Sequence, residues 1–593
     1  MPRCGRKNAE VGCALRRLLR YLKGYEKQTV LAPLFKMLEA CFELLVPLVV
    51  AALVDEGIAR ADVPFIWSQF GLLVLLAAVG LASSVTAQYF AARTALGYGT
   101  ALRRDLYHHI NTLSYAELDG IGTPTLVTRM TSDVNQLQNG VNMTLRLLLR
   151  SPFIVIGALL MALSISVPLT VWFLGVTAAI SLVIYLIMRL TVPRYHQAQN
   201  TLDRVTLLTR ENYVGARVVR AFSRQKDEIE DFTAANDRLK QIQLTAGRIS
   251  ALMNPMTYVV VNLGILAVLL RGGRYVDAGS LTQGEIIALI SYMNQILASL
   301  LRLADLVISV TRAVASGIRV NELLNTPTTM PDPAAPALAP VEGAPAIAFD
   351  DVSFTYRGAA APSLQDIRFT AAAGQTIGVI GGTGSGKSTL VNLIARFYDA
   401  GAGSVRLFGH DVKDYAFAQL RGMIGIVPQK AMLFTGTIRD NMRWAAPNAT
   451  DEEIWAALEI AQAADFVRGK PGGLDEPVET AGRNFSGGQR QRLTIARALV
   501  PRPRVLILDD SSSALDFATD VALRRALRQQ TAGMTVVIVS QRAAAVQRAD
   551  CILVLDDGEL VGCGAHAQLL ESCPVYHEIC LSQLSREEVQ KTL

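Results

Sequence analysis

Gly381-Gly382-Thr383-Gly384-Ser385-Gly386-Lys387-Ser388 is a complete G-x-x-x-x-G-K-S. The apolar run Thr376-Ile377-Gly378-Val379-Ile380 feeds into it, and Thr389–Arg396 reads as a helix behind it. Strand, glycine-rich loop and helix in that order make the motif specific. The backbone N–H groups of such a loop, together with the helix N-terminus, converge on phosphate oxygens. Lys387 is then placed to reach the β- and γ-phosphates of a nucleotide, and the Ser388 hydroxyl to bind Mg²⁺.

The surrounding pattern is that of an α/β domain with a largely parallel sheet, running from residue 345 to 593. Its first strand is Ile347–Phe354. Val505-Leu506-Ile507-Leu508-Asp509 is a continuous apolar strand, as buried parallel strands are, and it ends in a carboxylate suited to a magnesium-bound water. Between them, Asn484-Phe485-Ser486-Gly487-Gly488-Gln489-Arg490-Gln491-Arg492 precedes the helical run Leu493–Leu499. Ser-Gly-Gly at a helix start is a second anion site. Two such sites make sense if this one closes over a phosphate held by another copy.

Residues 326–344 form a linker, with Pro327, Pro331, Pro333, Pro336 and Pro340 among alanines, extended and without a core of its own. Ahead of it the chain changes character. Of all 593 residues 51% are hydrophobic and only 18% charged, and residues 27–325 hold six apolar runs long enough to cross a bilayer. They lie near 30–54, 66–92, 147–166, 168–190, 251–270 and 286–310. The connectors 93–146 and 189–250 are long, basic and helical in pattern. The net charge of +6 therefore belongs to membrane-flanking loops, and nucleic acid is excluded as a partner. The positive-inside rule puts both long connectors and both termini in the cytoplasm, around a multi-pass protein of the cytoplasmic membrane. Residues 1–26 contain no cleavable signal; Leu15–Lys23 reads as an interfacial helix. The seven cysteines show no zinc or redox spacing, and most are expected to be small buried hydrophobes.

Charges within apolar runs are costly and are candidates for function. Lys36, Glu39 and Glu43 share one face of the first run. Two readings stay open: Lys36 pairs with Glu39 inside the bundle, or Glu39 and Glu43 line a substrate path together with Asn294 and Gln295 of the sixth.

These motifs together resemble an ATP-binding cassette (ABC) exporter half-transporter, across essentially the whole chain beyond its first two dozen residues and the linker. The resemblance implies a six-helix membrane domain fused to a nucleotide-binding domain, with ATP and Mg²⁺ as cofactors. It makes Tyr356 the aromatic that stacks on adenine, Gly381–Ser388 with Thr389 the Walker A loop, and Gln429 the glutamine near Mg²⁺, which Ser388 and Asp509 also hold. Phe485–Gln489 matches the signature motif, and Ser513-Ala514-Leu515-Asp516 the loop that crosses between two sites. Arg210–Phe222 and Leu126–Val134 resemble the loops that couple membrane and nucleotide domains, the former docking on a partner chain.

Two positions depart from the family pattern. Asp510 stands where hydrolysing members place glutamate, and Gln541 where they place a histidine at the switch. Aspartate is one methylene shorter, and glutamine cannot become a cation. The pair resembles the degenerate half of heterodimeric bacterial exporters. The implied partner is a second, non-identical half-transporter that completes a hydrolytic site with this chain's signature and drives export of amphipathic drugs or lipids. A homodimer with two slow sites, a regulatory subunit that does not pump, and an importer of exporter fold remain as alternatives.

Overall fold

The computed structural model describes residue 12 and residues 16–333, 338–530 and 533–583. Cys4, Cys13, Leu15 and Pro336, each part of an expectation above, lie outside the described residues. The interfacial stretch continues within them as helix over 16–19 and a tight turn at Arg20–Leu22. The chain forms two compact units.

The first unit comprises residues up to Asn111 and Pro124–Thr326. Its described residues hold six helices long and apolar enough to cross a membrane: Glu26–Ile58, Val63–Thr112, Thr123–Ile165, Val167–Val214, Gln225–Asp277 and Gln283–Leu324. The second to fifth run far past their apolar segments, because the basic connectors break the helical period only near their tips, at 113–114, 122, 215 and 222–224. Thr282 starts the sixth by capping it, its hydroxyl accepting from the Glu285 N–H while the Glu285 carboxylate accepts from the Thr282 N–H. That helix carries the main buried seam, with Leu289, Tyr292, Met293 and Ile296 almost wholly covered. The Tyr292 hydroxyl donates to the Leu44 carbonyl at 2.8 Å, fixing it to the first helix.

The second unit comprises Thr112–Thr123 and Pro327 onward. Its strands are β1 Ile347–Phe354, β2 Leu364–Ala371, β3 Thr376–Gly381, β4 Ala402–Leu407, β5 His410–Asp411, β6 Ile424–Val427, β7 Gly436–Thr437, β8 Pro477–Val478, β9 Val505–Asp509, β10 Thr535–Val539, β11 Cys551–Asp556 and β12 Glu559–Gly564. A six-stranded sheet runs β12-β11-β3-β10-β9-β6. It is parallel except for β12, which pairs antiparallel with β11. A four-stranded antiparallel sheet, β2-β1-β4-β5, lies beside it. The sequence did not announce this second sheet. Only nine residues separate β1 from β2, enough for a hairpin but too few for a parallel crossover.

Two helix starts also differ from expectation. The helix behind the phosphate loop, α1 Lys387–Ile394, begins two residues early, and Arg396 leaves the helical region at φ 49°. The helix after Ser-Gly-Gly, α2 Gly487–Leu499, begins six residues before its apolar run, because Ser486 caps it. The described linker residues have no regular structure but are tied down. The Phe417 N–H donates to Asp332, and Gln419 exchanges two hydrogen bonds with the Leu338 backbone.

The cysteine expectation holds for two of the five described. Of the five described, only Cys573 and Cys580 are buried; Cys41 and Cys563 are exposed and Cys551 is half-buried. Cys41 sits on an apolar helix, and Cys563 faces outward from edge strand β12.

Candidate nucleotide site

Strand β3 delivers the loop, and two of its glycines, Gly381 and Gly386, are set by crowding. A Cβ on Gly381 would lie 2.0 Å from the Leu555 carbonyl oxygen of neighbouring β11. Gly386 sits at φ 93°, where a Cβ would lie 2.6 Å from the Ser363 carbonyl oxygen. The Lys387 ammonium donates to the carbonyls of Gly381 at 3.0 Å and Gly382 at 2.5 Å. Burial pushes it below its usual range, while Asp510 and Asp509 pull it back.

A cleft of about 360 Å³ gathers Tyr356, Thr383, Gly384, Gly386, Lys387, Ser388, Thr389, Gln429, Asp509, Asp510 and Gln541. Asp509 arrives at the end of β9 and accepts from the Ser388 hydroxyl at 3.2 Å. Burial pushes its carboxyl up, the Ser388 hydrogen bond works against that, and Asp510 adds to it. Asp510 follows at φ 47°, a left-handed conformation that aspartate tolerates better than most residues. Its carboxylate accepts from the Gln429 amide at 3.4 Å. Gln541 follows β10, its carbonyl accepting from Gln583. Tyr356 stands two residues beyond β1, edge-on to Phe354 and Tyr398, with its hydroxyl 3.2 Å from that of Thr389. Ser363 and Ser540 line the cleft too. Little in the sequence points to them beyond the position of Ser540 just after a strand.

Convergent backbone donors, a buried lysine and a hydroxyl at a helix start can hold a polyphosphate. The hydroxyl of Ser388 and the carboxylate of Asp509 are hard oxygen donors close enough to share a Mg²⁺. Among the described residues no group of three or more His, Cys, Asp or Glu side chains gathers.

The Ser-Gly-Gly motif does not line this cleft. Phe485 is buried as an anchor, whereas Ser486 and Gly487 are exposed. Ser486 and Gln489 form a reciprocal cap on α2. A Cβ on Gly488 would come within 3.1 Å of the Ala514 carbonyl oxygen, so the two motifs abut. In the loop Ser513–Asp516 only Leu515 is buried. Asp516 caps the next helix, accepting from the backbone and hydroxyl of Thr519.

Sequence reading missed one element. α3 Tyr115–Ile121 belongs to the second unit and packs on it: the Tyr115 ring lies tilted against that of Phe397 with centroids 4.7 Å apart, and the Tyr398 hydroxyl donates to Asp119 at 2.5 Å. Residues 126–134, singled out for coupling, lie instead in the first unit, where Asp133 is buried against Arg129, Ser316 and Arg319. The capping pattern Ser114-x-x-Glu117 was the available signal.

In the membrane unit the charges are paired. Lys36 donates to Glu39 at 2.5 Å and to Ser84, and Arg150 donates to Glu43 at 2.6 Å with Glu39 at 3.8 Å. Glu39 and Glu43 therefore belong to a four-charge cluster with no net charge. Gln295 bonds the Glu43 carbonyl, and Asn294 is exposed.

A phosphate loop on a parallel sheet, with an apolar six-helix bundle ahead of it, defines a membrane protein with a nucleotide-binding domain. Residues 29–300 match the ABC transporter transmembrane region and residues 364–513 the ABC transporter domain. An uncharacterised ABC transporter ATP-binding protein of Mycobacterium tuberculosis is 38% identical over 571 residues, covering 95% of this chain and 97% of its own. A fatty acid ABC transporter ATP-binding/permease protein of the same species is 34% identical over 81% of this chain and 75% of its own. A multidrug efflux ATP-binding/permease protein, also of that species, is 33% identical over 90% of this chain but only 44% of its own. The fold is that of a bacterial Atm1-family ABC exporter with ATP bound (TM-score 0.79, 23% identity, 95% of this chain and 99% of that one). The chain belongs to the ABC transporter family, with one membrane domain and one ATP-binding domain in a single half-transporter.

Proposed function

We propose that this chain is one half of a heterodimeric ATP-driven exporter of amphipathic compounds. In this reading its own Walker-side site retains ATP and hydrolyses it poorly, and its signature motif completes the partner's active site. The observation that carries it is the company Asp510 and Gln541 keep. They stand in a cleft whose other parts, Lys387, Ser388 and Asp509, are in place.

Tyr356 stacks on adenine, the Walker A loop with Lys387 and Thr389 holds the phosphates, and Ser388, Gln429 and Asp509 surround Mg²⁺. Asp510 is too short to polarise a water that glutamate would reach, and Gln541 offers a neutral donor to the γ-phosphate. Ser486, Gly487 and Gly488 face ATP on the other chain, with Ser513–Asp516 crossing beside them. The basic connectors favour this domain and both termini on the cytoplasmic side.

A partner is supported by the tip of the second long connector. Tyr213 is 85% and Phe222 73% exposed around the short helix Ala216–Ala221. Beside them a mostly apolar hollow of about 320 Å³ is lined by Leu208, Tyr213, Ile229 and Phe232. Such a patch at the end of a helical arm calls for a covering surface. The relatives named for fatty acids and multidrug efflux favour an amphipathic cargo. The neutral charge cluster around Glu43 favours one without strong net charge.

The test is co-expression with candidate half-transporters and purification of the pair. A 1:1 complex whose ATPase rises about tenfold or more on changing Asp510→Glu with Gln541→His supports the reading. A chain fully active alone, or an ATPase indifferent to the double change, overturns it.

A further inference from the structure

β11 and β12 form a hairpin in which Leu553 lies opposite Cys563. Cys551, two residues before Leu553, projects from the same face, diagonal to Cys563. Their sulfur atoms are 3.5 Å apart, against about 2.05 Å in a disulfide. Closing that gap takes rotation of both side chains together with a small shift of the edge strand, because diagonal neighbours stand wider apart than most bridged cysteines. Cys563 is exposed on an edge strand and Cys551 half-buried behind it, so an oxidant reaches the outer sulfur first. The domain's other described thiols, Cys573 and Cys580, are buried. Cys573 lies on the opposite face of β12, under Gly562.

We propose that Cys551 and Cys563 form a thiol oxidation site, converted to an intrachain disulfide by hydroperoxides. The Cys563 thiolate attacks the O–O bond of the hydroperoxide, giving a sulfenic acid and releasing water or an alcohol. The Cys551 sulfur then attacks the Cys563 sulfur, the S–O bond breaks, and water leaves with the Cys551 proton. Two thiols and one hydroperoxide thus become one disulfide and two molecules of water, or one of water and one of alcohol. The chemistry is divided appropriately between the two groups. The hydrogen bond from the Cys551 thiol pulls Cys563 down to about 7, which favours thiolate at neutral pH, while the same interaction holds Cys551 protonated.

Cys551 lies opposite Ile377 of β3, four residues before the phosphate loop begins at Gly381. β11 is bonded along its length to β3, with Leu555 opposite Gly381 where the phosphate loop begins. The bridge would tie edge strand β12 to the strand that backs that loop.

The full-length chain in detergent or nanodiscs, treated with hydrogen peroxide and then with an alkylating agent, tests this by peptide mass mapping. The expected product is one cross-linked pair of peptides containing Cys551 and Cys563, lighter by two hydrogens and restored by dithiothreitol. Before oxidation, Cys563 should be alkylated about tenfold faster than Cys551 at neutral pH. In Cys551→Ser, Cys563 should stop at a sulfenic acid that dimedone captures; in Cys563→Ser, Cys551 should stay a free thiol. Both serine variants keep the sheet and should bind ATP as the parent does, which checks their folding. Free thiols at both positions after peroxide, independent sulfinic acids, or a bridge only between separate chains would overturn the proposal.

Discussion

At Gly386 the chain makes a choice that no other residue can make cheaply. Its φ of 93° and the Ser363 carbonyl 2.6 Å from a would-be Cβ mean that Gly386→Ala must move backbone on both sides. About 1–3 kcal/mol of strain follows, seen as a lower melting temperature of the whole protein and weaker ATP binding. Lys387 is the complementary case, since burial already works against its charge. Lys387→Met should change melting little while weakening ATP binding about 10- to 100-fold, the worth of one or two charge-assisted hydrogen bonds. Thermal melts separate the two variants, and a calorimetric titration with ATP checks the loss of binding in each. This much of the site was legible in the sequence because the loop is local: strand, glycines, lysine and helix follow one another without a gap. The conformation of Asp510 was not legible, since a left-handed φ of 47° leaves no mark in an apolar strand ending in two aspartates. It is one reason glutamate at that position tests more than reach, for the longer side chain tolerates this backbone less well.

α3 shows what a short element needs in order to persist. Seven residues cannot hold a helix alone in water, so its ends and one face must be tied. Glu117, buried, accepts from the Ser114 backbone and hydroxyl and from the Thr329 hydroxyl. Burial alone would push its carboxyl up, but these bonds hold it below the usual carboxylate range. A depressed folded value means the contribution is whole above the unfolded value of about 4.5 and fades as pH falls towards the folded one. Glu117→Gln should cost about 1–2 kcal/mol at neutral pH. Its penalty should shrink below pH 4, and paired thermal melts across that range check it. The cap was readable in Ser-Tyr-Ala-Glu. Its docking was not, because Tyr398, the partner of Asp119, lies 279 residues further along the chain. A sequence pattern carries period and caps; it does not carry which distant face a helix will meet. The antiparallel sheet escaped for a related reason, its pairing being set by a loop length rather than by any residue in β1.

For the molecule as a whole, the question is whether the signature acts within this chain or on another. Local geometry offers a clean experiment at Gly487. It is exposed, and a Cβ built there meets nothing within 4 Å. It is also the first residue of α2, where an acidic side chain suits the helix dipole. Gly487→Asp should therefore fold and bind ATP at its own Walker loop as the parent does. In a pair, however, the new carboxylate would face the phosphates held by the second chain, repelling them where backbone N–H groups should close. The ATPase of the pair should then fall about 100-fold or more, the scale of losing a preorganised set of donors, while ATP retained by this chain stays at its former level. Counting bound nucleotide beside the phosphate release rate distinguishes the two sites in one preparation. An unchanged ATPase would mean that these exposed donors serve no other chain, and the asymmetric pair would go with them. Loss of this chain's own ATP would place the motif in the wrong site altogether. Only the remaining result, hydrolysis lost and retention kept, is what an exposed signature beside a complete but weakly hydrolytic phosphate loop requires.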